Sequence, residues 1–273
     1  MKCITSAILL SILLLPTAFS HAAKSSNQPL WEAGIAVGGA TLPQYMGSDE
    51  RYNFAAPIPF FIYRGERLRV DRGGITTELF GVRELSVDAS LGVGLPVRNS
   101  NQARAGMPEL KFSFQAGPRL NWQLHKTENF KITLRAPWRG VVDTSGQWLG
   151  WLSEPDIAFE YQPNNDLLLK LYSGALFGSR RFHSAYYDVP PIYATASRAT
   201  YRARAGLHSL SLTASARYRL SESVTLFSAI RYRNLASGVI ANSPLVKDHN
   251  YLSGTVGLAW SFWKSDQMSV HKD

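Results

Sequence analysis

From Ser209 to Leu220 the chain reads SLSLTASARYRL, with polar and apolar residues alternating at every position. Leu210, Leu212, Ala214, Ala216, Tyr218 and Leu220 share one face, and Ser209, Ser211, Thr213, Ser215, Arg217 and Arg219 share the other. A period of two sustained over that length is a strand. The same alternation recurs along the chain. WEAGIAVGG sets Trp31, Ala33, Ile35 and Val37 together, and NFAAPIPFFIY does so for Phe54, Ala56, Ile58, Phe60 and Ile62. ELSVDASLGVGL opposes Leu85, Val87, Ala89, Leu91, Val93 and Leu95 to Ser86, Asp88, Ser90, Gly92 and Gly94. ELKFSFQAGPRLNWQL aligns Leu110, Phe112, Phe114, Ala116, Leu120, Trp122 and Leu124, and FKITLRAPWRG aligns Phe130, Ile132, Leu134, Ala136 and Trp138. Further strands are predicted at about 147–162, 166–177, 224–235 and 251–262. No convincing helical pattern follows residue 22, so the fold class is all-β.

Several segments are long enough for the roughly 9 to 11 residues that a transmembrane strand needs. Connections near 65–67, 81–83, 125–128, 163–165 and 221–223 are short, whereas those near 41–52, 96–108, 178–198 and 236–250 are long. They alternate strictly if Gly73-Gly74 turns a further hairpin. Short turns on one side and long loops on the other, with an even strand number, describe a transmembrane antiparallel up-and-down β-barrel. The expectation is about twelve strands, or ten if residues 67–80 do not span. It treats 200–220 as one strand with a phase slip, a bulge, near Gly206–His208. An arginine facing lipid at mid-bilayer costs roughly 2–4 kcal/mol. The polar faces should therefore look into the lumen, which places Arg135, Arg139, Arg202, Arg204, Arg217, Arg219, Arg231 and Arg233 there. Leu252, Gly254, Val256, Leu258, Trp260 and Phe262 should face outward, and this last strand should close the barrel against residues 31–39.

The beginning of the chain explains how such a barrel reaches a membrane. Lys2, an apolar run from Ile4 to Leu15, Pro16 and the small-residue stretch to Ala22 read as a signal peptide, residues 1–22. That leaves 23–263 for the barrel and 264–273 as a short tail. The apolar run is too short for a membrane helix. The one cysteine, Cys3, lies in the leader, so the exported chain cannot rely on disulfides. The formal charge of +9 suits contact with outer-membrane lipid and lipopolysaccharide. No nucleic-acid-binding pattern accompanies it, so nucleic acid is not an expected partner.

Residues 43–71, PQYMGSDERYNFAAPIPFFIYRGERLRVD, resemble the opening of the MipA/OmpV family, MltA-interacting outer-membrane proteins. The resemblance rests on Pro43, Tyr45, Gly47, Ser48 and Asp49, then Pro57 and Pro59, then Tyr63 and Arg64. YYDV at 186–189, SPLV at 243–246 and the closing GLAWSF are also similar. The resemblance implies an outer-membrane barrel and a non-enzymatic scaffold that links a lytic transglycosylase to a peptidoglycan synthase. It further implies a C-terminal signal for the barrel-assembly machinery, here Val256, Leu258, Trp260 and Phe262. That signal is followed by eleven further residues rather than ending the chain.

Chemistry-bearing residues are sparse. His125, His183, His208, His249 and His271 lack metal-ligand spacing, and no P-loop, GxGxxG or CxxC occurs, so no metal or cofactor is expected. His183, Ser184 and Asp188 form a nominal triad, but no G-x-S-x-G turn accompanies it, and loop residues are the expectation. The lumen arginines admit two readings: an anion-preferring pore, or a barrel plugged by pairing with inward acids such as Asp88 and Glu160. The competing function is accordingly a narrow pore or solute-binding barrel.

Overall fold

The computed structural model describes residues 29–64, 68–71, 74–82 and 84–269. The leader 1–22, the expected turn at Gly73 and His271 lie outside these. Among the described residues thirteen strands form one antiparallel sheet. They are β1 (Trp31–Pro43), β2 (Arg51–Arg64), β3 (Leu68–Asp71), β4 (Gly74–Val82), β5 (Leu85–Gly94), β6 (Ser113–Lys126) and β7 (Phe130–Asp143). β8 (Trp148–Ser153), β9 (Asp156–Tyr161), β10 (Leu167–Gly178), β11 (Gly206–Arg219), β12 (Val224–Asn234) and β13 (Asn250–Lys264) follow. β8 and β9 share one place in the wall: β7 pairs with β8 through Trp138–Val142 and with β9 through Phe130–Arg135. The interruption falls at Glu154-Pro155, where proline removes a ladder donor. The wall therefore has twelve strand positions, β3 and β4 included. β10 pairs with β11, and β13 pairs with β1 from Glu32↔Lys264 to Thr41↔Gly254, so the sheet closes on itself.

Both ends of the described chain meet at one end of the barrel, where Leu30 N–H donates to Gln267 O at 2.7 Å. The connections at this turn end are short. The opposite, loop end carries residues 95–112, 179–205 and 235–249, together with the tight segment 44–50. Alternation then sorts the side chains. Val37, Phe114, Val256 and Trp260 are each more than half exposed, while Thr133, Arg139, Glu160, Lys170, Thr213 and Arg233 are buried on the other face. A barrel with an apolar exterior and a charged interior results.

Three details differ from the sequence reading. β11 begins at Gly206, so Arg202 and Arg204 stand in the preceding loop, exposed, and do not face the lumen. The expected slip is present, however: the β10 register jumps from Leu176↔Ser209 to Phe177↔Leu207, leaving His208 as the bulged residue. Second, β2 turns Phe54, Ala56, Ile58, Phe60 and Ile62 toward the inside, with Phe60 packed against Ala36, Phe227 and Ala259. Asn53, Ala55, Pro57, Pro59 and Phe61 face out instead. Third, an eight-residue helix α1 (Arg180–Tyr187) lies inside a loop, with the Ser179 hydroxyl accepting from Phe182 N–H as its N-cap.

Candidate functional site

The loop end is a folded cap. Its core contains Tyr45, Val97, Val141, Leu149, Phe182, Tyr186, Tyr187, Ala203, Leu235, Ile240, Val246 and Tyr251, contributed by four connections and the adjoining strands. Long-range bonds stitch these connections together. Tyr45 OH donates to Leu245 O (2.6 Å), Ser243 OH to Tyr187 O (2.8 Å) and Arg104 Nη1 to Tyr186 O (2.8 Å). Asn101 Nδ2 reaches both Gln44 Oε1 (3.0 Å) and Ser48 Oγ (3.2 Å), while Arg198 Nη1 donates to Ala103 O and Ala105 O. Burial holds the Tyr45, Tyr186 and Tyr187 hydroxyls above the ordinary phenol value and lowers the Arg104 guanidinium below its own.

The motifs that carry the family resemblance meet in this cap, with Val189 and Leu245 in a smaller cluster beside the core. Tyr45 and Ser48 come from the first, Tyr186, Tyr187 and Val189 from the second, and Ser243, Leu245 and Val246 from the third; all are buried. Gly47 turns the chain at φ +92°, with Leu235 and Val246 packed against it. Pro57 and Pro59 lie instead on the outer face of β2. Tyr63 pairs with Val70, and Arg64 bonds Glu32 at 2.8 Å and Pro29 O at 2.9 Å near the turn end. Val256, Leu258, Trp260 and Phe262 all lie on the exposed face of β13.

Beneath the cap the inner face of the wall carries ion pairs between neighbouring strands. Arg119 forms a two-pronged bond with Asp88 (2.8 and 2.6 Å), and Arg135 one with Asp156 (2.7 and 2.7 Å) while lying over the Tyr172 ring. Lys170 Nζ meets Glu160 at 3.1 Å, almost fully buried. Arg219 pairs with Asp166 at the turn-end rim, half exposed. Arg217 lies on β11, half-buried. The inward acids Asp88 and Glu160 thus engage Arg119 and Lys170, residues the sequence reading left out. Alternation held the signal for both: Arg119 shares a face with Asn121 and Gln123, and Lys170 stands between the outward Leu169 and Leu171.

Between this layer and the cap lies a cavity of about 290 Å³, lined among others by Arg139, Arg231, Arg233, Glu154, Tyr251 and Gly92. Glu154, turned inward at the β8–β9 break, accepts from Arg233 Nη2 at 2.6 Å and lies 3.9 Å from Arg139 Nη2. Arg231 Nε donates to Thr213 Oγ1 at 2.9 Å. Three guanidinium groups and one carboxylate, which Arg233 and Arg139 share, therefore line the cavity and leave it positively charged. From Arg233 a hydrogen-bonded chain runs into the cap. Arg233 Nη1 donates to Ser209 Oγ (2.7 Å), Ser209 Oγ meets His208 Nδ1 (2.8 Å), His208 Nε2 meets Tyr187 OH (2.8 Å), and Tyr187 OH donates to Met46 O (2.9 Å). With the tyrosine proton committed to Met46 O, His208 donates from Nε2 to the Tyr187 oxygen.

The nominal triad is not assembled by these contacts. His183 Nδ1 bonds Arg204 O (2.6 Å), and Asp188 Oδ1 accepts from Ala203 N–H (2.6 Å). Among the described residues no group of three or more His, Cys, Asp or Glu side chains is arranged to hold a metal ion.

The profile of a family described as MltA-interacting protein MipA matches residues 35–262. No curated protein matches the chain. Among solved structures, an outer-membrane channel from Pseudomonas putida F1 is similar, at 8% identity and TM-score 0.47, covering 90% of this chain and 100% of that one. The NanC porin is similar at 10% identity and TM-score 0.38, covering 83% and 98%. The toluene transporter TodX of Pseudomonas putida is similar at 10% identity and TM-score 0.38, covering 88% and 90%.

Proposed function

Because the chain belongs to the MltA-interacting protein MipA family, we propose that this outer-membrane barrel is a scaffold that holds a lytic transglycosylase, and with it a peptidoglycan synthase, at its turn end. The observation carrying the reading is the folded cap over the loop end. A barrel roofed by a cap with its own core, its wall braced by Arg119–Asp88, Arg135–Asp156 and Lys170–Glu160 pairs between neighbouring strands, suits a rigid support better than a passage. Short turns alone offer little of the roughly 800 Å² per partner that a stable interface takes. The paired ends extend that surface: Pro29 bridges Met268, and Trp263 and Met268 are exposed beside them. The test is in-cell photo-crosslinking from Trp263, with and without residues 265–273. Recovery of a murein-cleaving enzyme that is lost on deletion supports the scaffold; recovery of none overturns it.

The charged cavity favours a second reading, a solute-binding barrel. Three arginines around Glu154 would hold an anion without conducting it. Planar-bilayer recording separates this from a pore: a silent membrane fits binding. A steady anion-selective conductance, lost on Arg217→Ala with Arg231→Ala, would overturn the binding reading in favour of a pore.

A further inference from the structure

The three arginines that border the cavity are not equivalent. Arg233 is committed, with Nη1 donating to Ser209 Oγ and Nη2 to Glu154 Oε1. Arg231 gives Nε to Thr213 Oγ1, and its guanidinium makes no other hydrogen bond to a described residue. The Arg139 guanidinium makes none at all among the described residues. Arg139 is only 7% exposed, and Glu154 Oε2 stands 3.9 Å from its Nη2, beyond hydrogen-bond range. A guanidinium carries five N–H donors and keeps its proton at any ordinary pH. Buried groups of that kind are nearly always paired, so an unpaired one asks for an explanation.

The wall is shaped around this group. A Cβ on Gly92 would stand 2.5 Å from Arg139 Nη1 and 2.8 Å from Gln115 Oε1, so glycine within β5 lets guanidinium and amide lie against the strand. Charge then narrows the occupant. Three guanidinium charges against the Glu154 carboxylate leave two positive charges on the cavity lining. The two arginines with donors to spare come from different strands, Arg139 from β7 and Arg231 from β12. One carboxylate would occupy one guanidinium fork and bring one negative charge. A phosphate monoester brings about 1.5 to 2 negative charges at pH 7 and three acceptor oxygens, enough for both.

The rest of the lining suits hydroxyl groups. Gln115 and Ser253 border the cavity, and neither side chain bonds a described residue. Thr255 Oγ1 donates to Gly39 O, which leaves its oxygen able to accept. At a liquid share of about 30 Å³ per water, a cavity of about 290 Å³ has room for about ten waters, the scale of a sugar phosphate. We propose that the cavity binds the phosphate monoester of a small polyol. The phosphate lies between Arg139 and Arg231, and the hydroxyls meet Gln115, Ser253 and Thr255. This deepens the solute-binding reading and rests on it. Tyr45, Phe182 and Tyr186 of the cap line the same cavity, so a bound molecule touches cap and barrel together.

The test is titration calorimetry on the full chain in lipid nanodiscs, in phosphate-free buffer, with glucose 6-phosphate, gluconate, methyl glucoside and inorganic phosphate as probes. The expected result is saturable binding of glucose 6-phosphate, at least tenfold tighter than any of the other three. Arg139→Gln should weaken it at least tenfold with heat-modifiability kept; if that variant does not fold, Arg231→Gln carries the same expectation. Arg217→Gln removes an inward charge outside the cavity and should change the affinity less than twofold. Bound ligand should raise hydrogen-exchange protection at 44–50 and 180–187. Gluconate or methyl glucoside binding as tightly as glucose 6-phosphate would keep the solute-binding reading and overturn the phosphate assignment, and inorganic phosphate binding as tightly would overturn the polyol. An equal loss in Arg217→Gln, or protection confined to the turn end, would overturn the site. Binding of none of the four would overturn this inference and the solute-binding reading together.

Discussion

Replacing Glu154 by Gln keeps the shape of the side chain and removes the carboxylate that Arg139 and Arg233 share. The Arg233 side chain is only 3% exposed, so it cannot turn to solvent for compensation. Leaving a buried charge unpaired costs about 3–5 kcal/mol. At roughly 2–4 °C per kcal/mol for a chain near this size, the loss is about 6–20 °C of thermal midpoint. The assay is the temperature at which the folded, fast-migrating band disappears on gel electrophoresis. A companion variant separates charge from packing. Glu154→Leu with Arg233→Met removes the close pair, leaving only the more distant Arg139, and should recover part of the loss, because well-packed apolar replacements of a buried pair are often neutral. If Glu154→Gln melts within about 2 °C of wild type, or if the double variant is no better than the single one, the electrostatic account of the cavity is wrong.

Two further outcomes follow from the cap. Gly47→Ala forces a side chain into the left-handed region, against Leu235 Cδ2 at 3.1 Å and Val246 Cγ1 at 3.2 Å. A cost of about 1–3 kcal/mol should appear as faster protease nicking at 44–50 and 235–249, with the barrel still heat-modifiable; unchanged nicking would refute it. Burial holds the His183 imidazole below its ordinary value of 6.5. The unfolded loop takes up a proton first as pH falls, so the stability of the cap is full above about pH 6.5 and declines below it. Hydrogen-exchange protection over Arg180–Tyr187, taken relative to the intrinsic rate at each pH, should fall between pH 7.5 and 5.5 in wild type but not in His183→Gln. An equal fall in both would assign the effect elsewhere.

The barrel was legible in the sequence because its signals are local. Alternation marks each strand, and the parity of short and long connections sorts the two ends. β2 misled because both of its faces are apolar, so a rule that sends hydrophobic residues to lipid has nothing to choose between; pairing with β1 decided the matter. Arg202 and Arg204 misled because TYRARAG continues the alternation of the next strand past the point where the chain leaves the wall. Arg119 and Lys170 sat on polar faces that alternation had already identified, but which acid each one meets depends on registers the sequence does not display. The cap was hidden for a different reason. Its core joins residues up to two hundred positions apart, such as Tyr45 and Leu245, and each contributing segment is too short to carry a period.

The closure of β1 on β13 has a consequence in time. The first strand is complete at Pro43, but the strand that covers its edge begins only at Asn250. At a synthesis rate of about 5–20 residues per second, the intervening stretch of some two hundred residues takes roughly 10–40 s to appear. Throughout that interval β1 presents an unsatisfied ladder that any other strand could extend. The earliest segment of the chain to be made is thus among the last to be finished, and the nascent protein must be escorted as an incomplete molecule until its final strand exists.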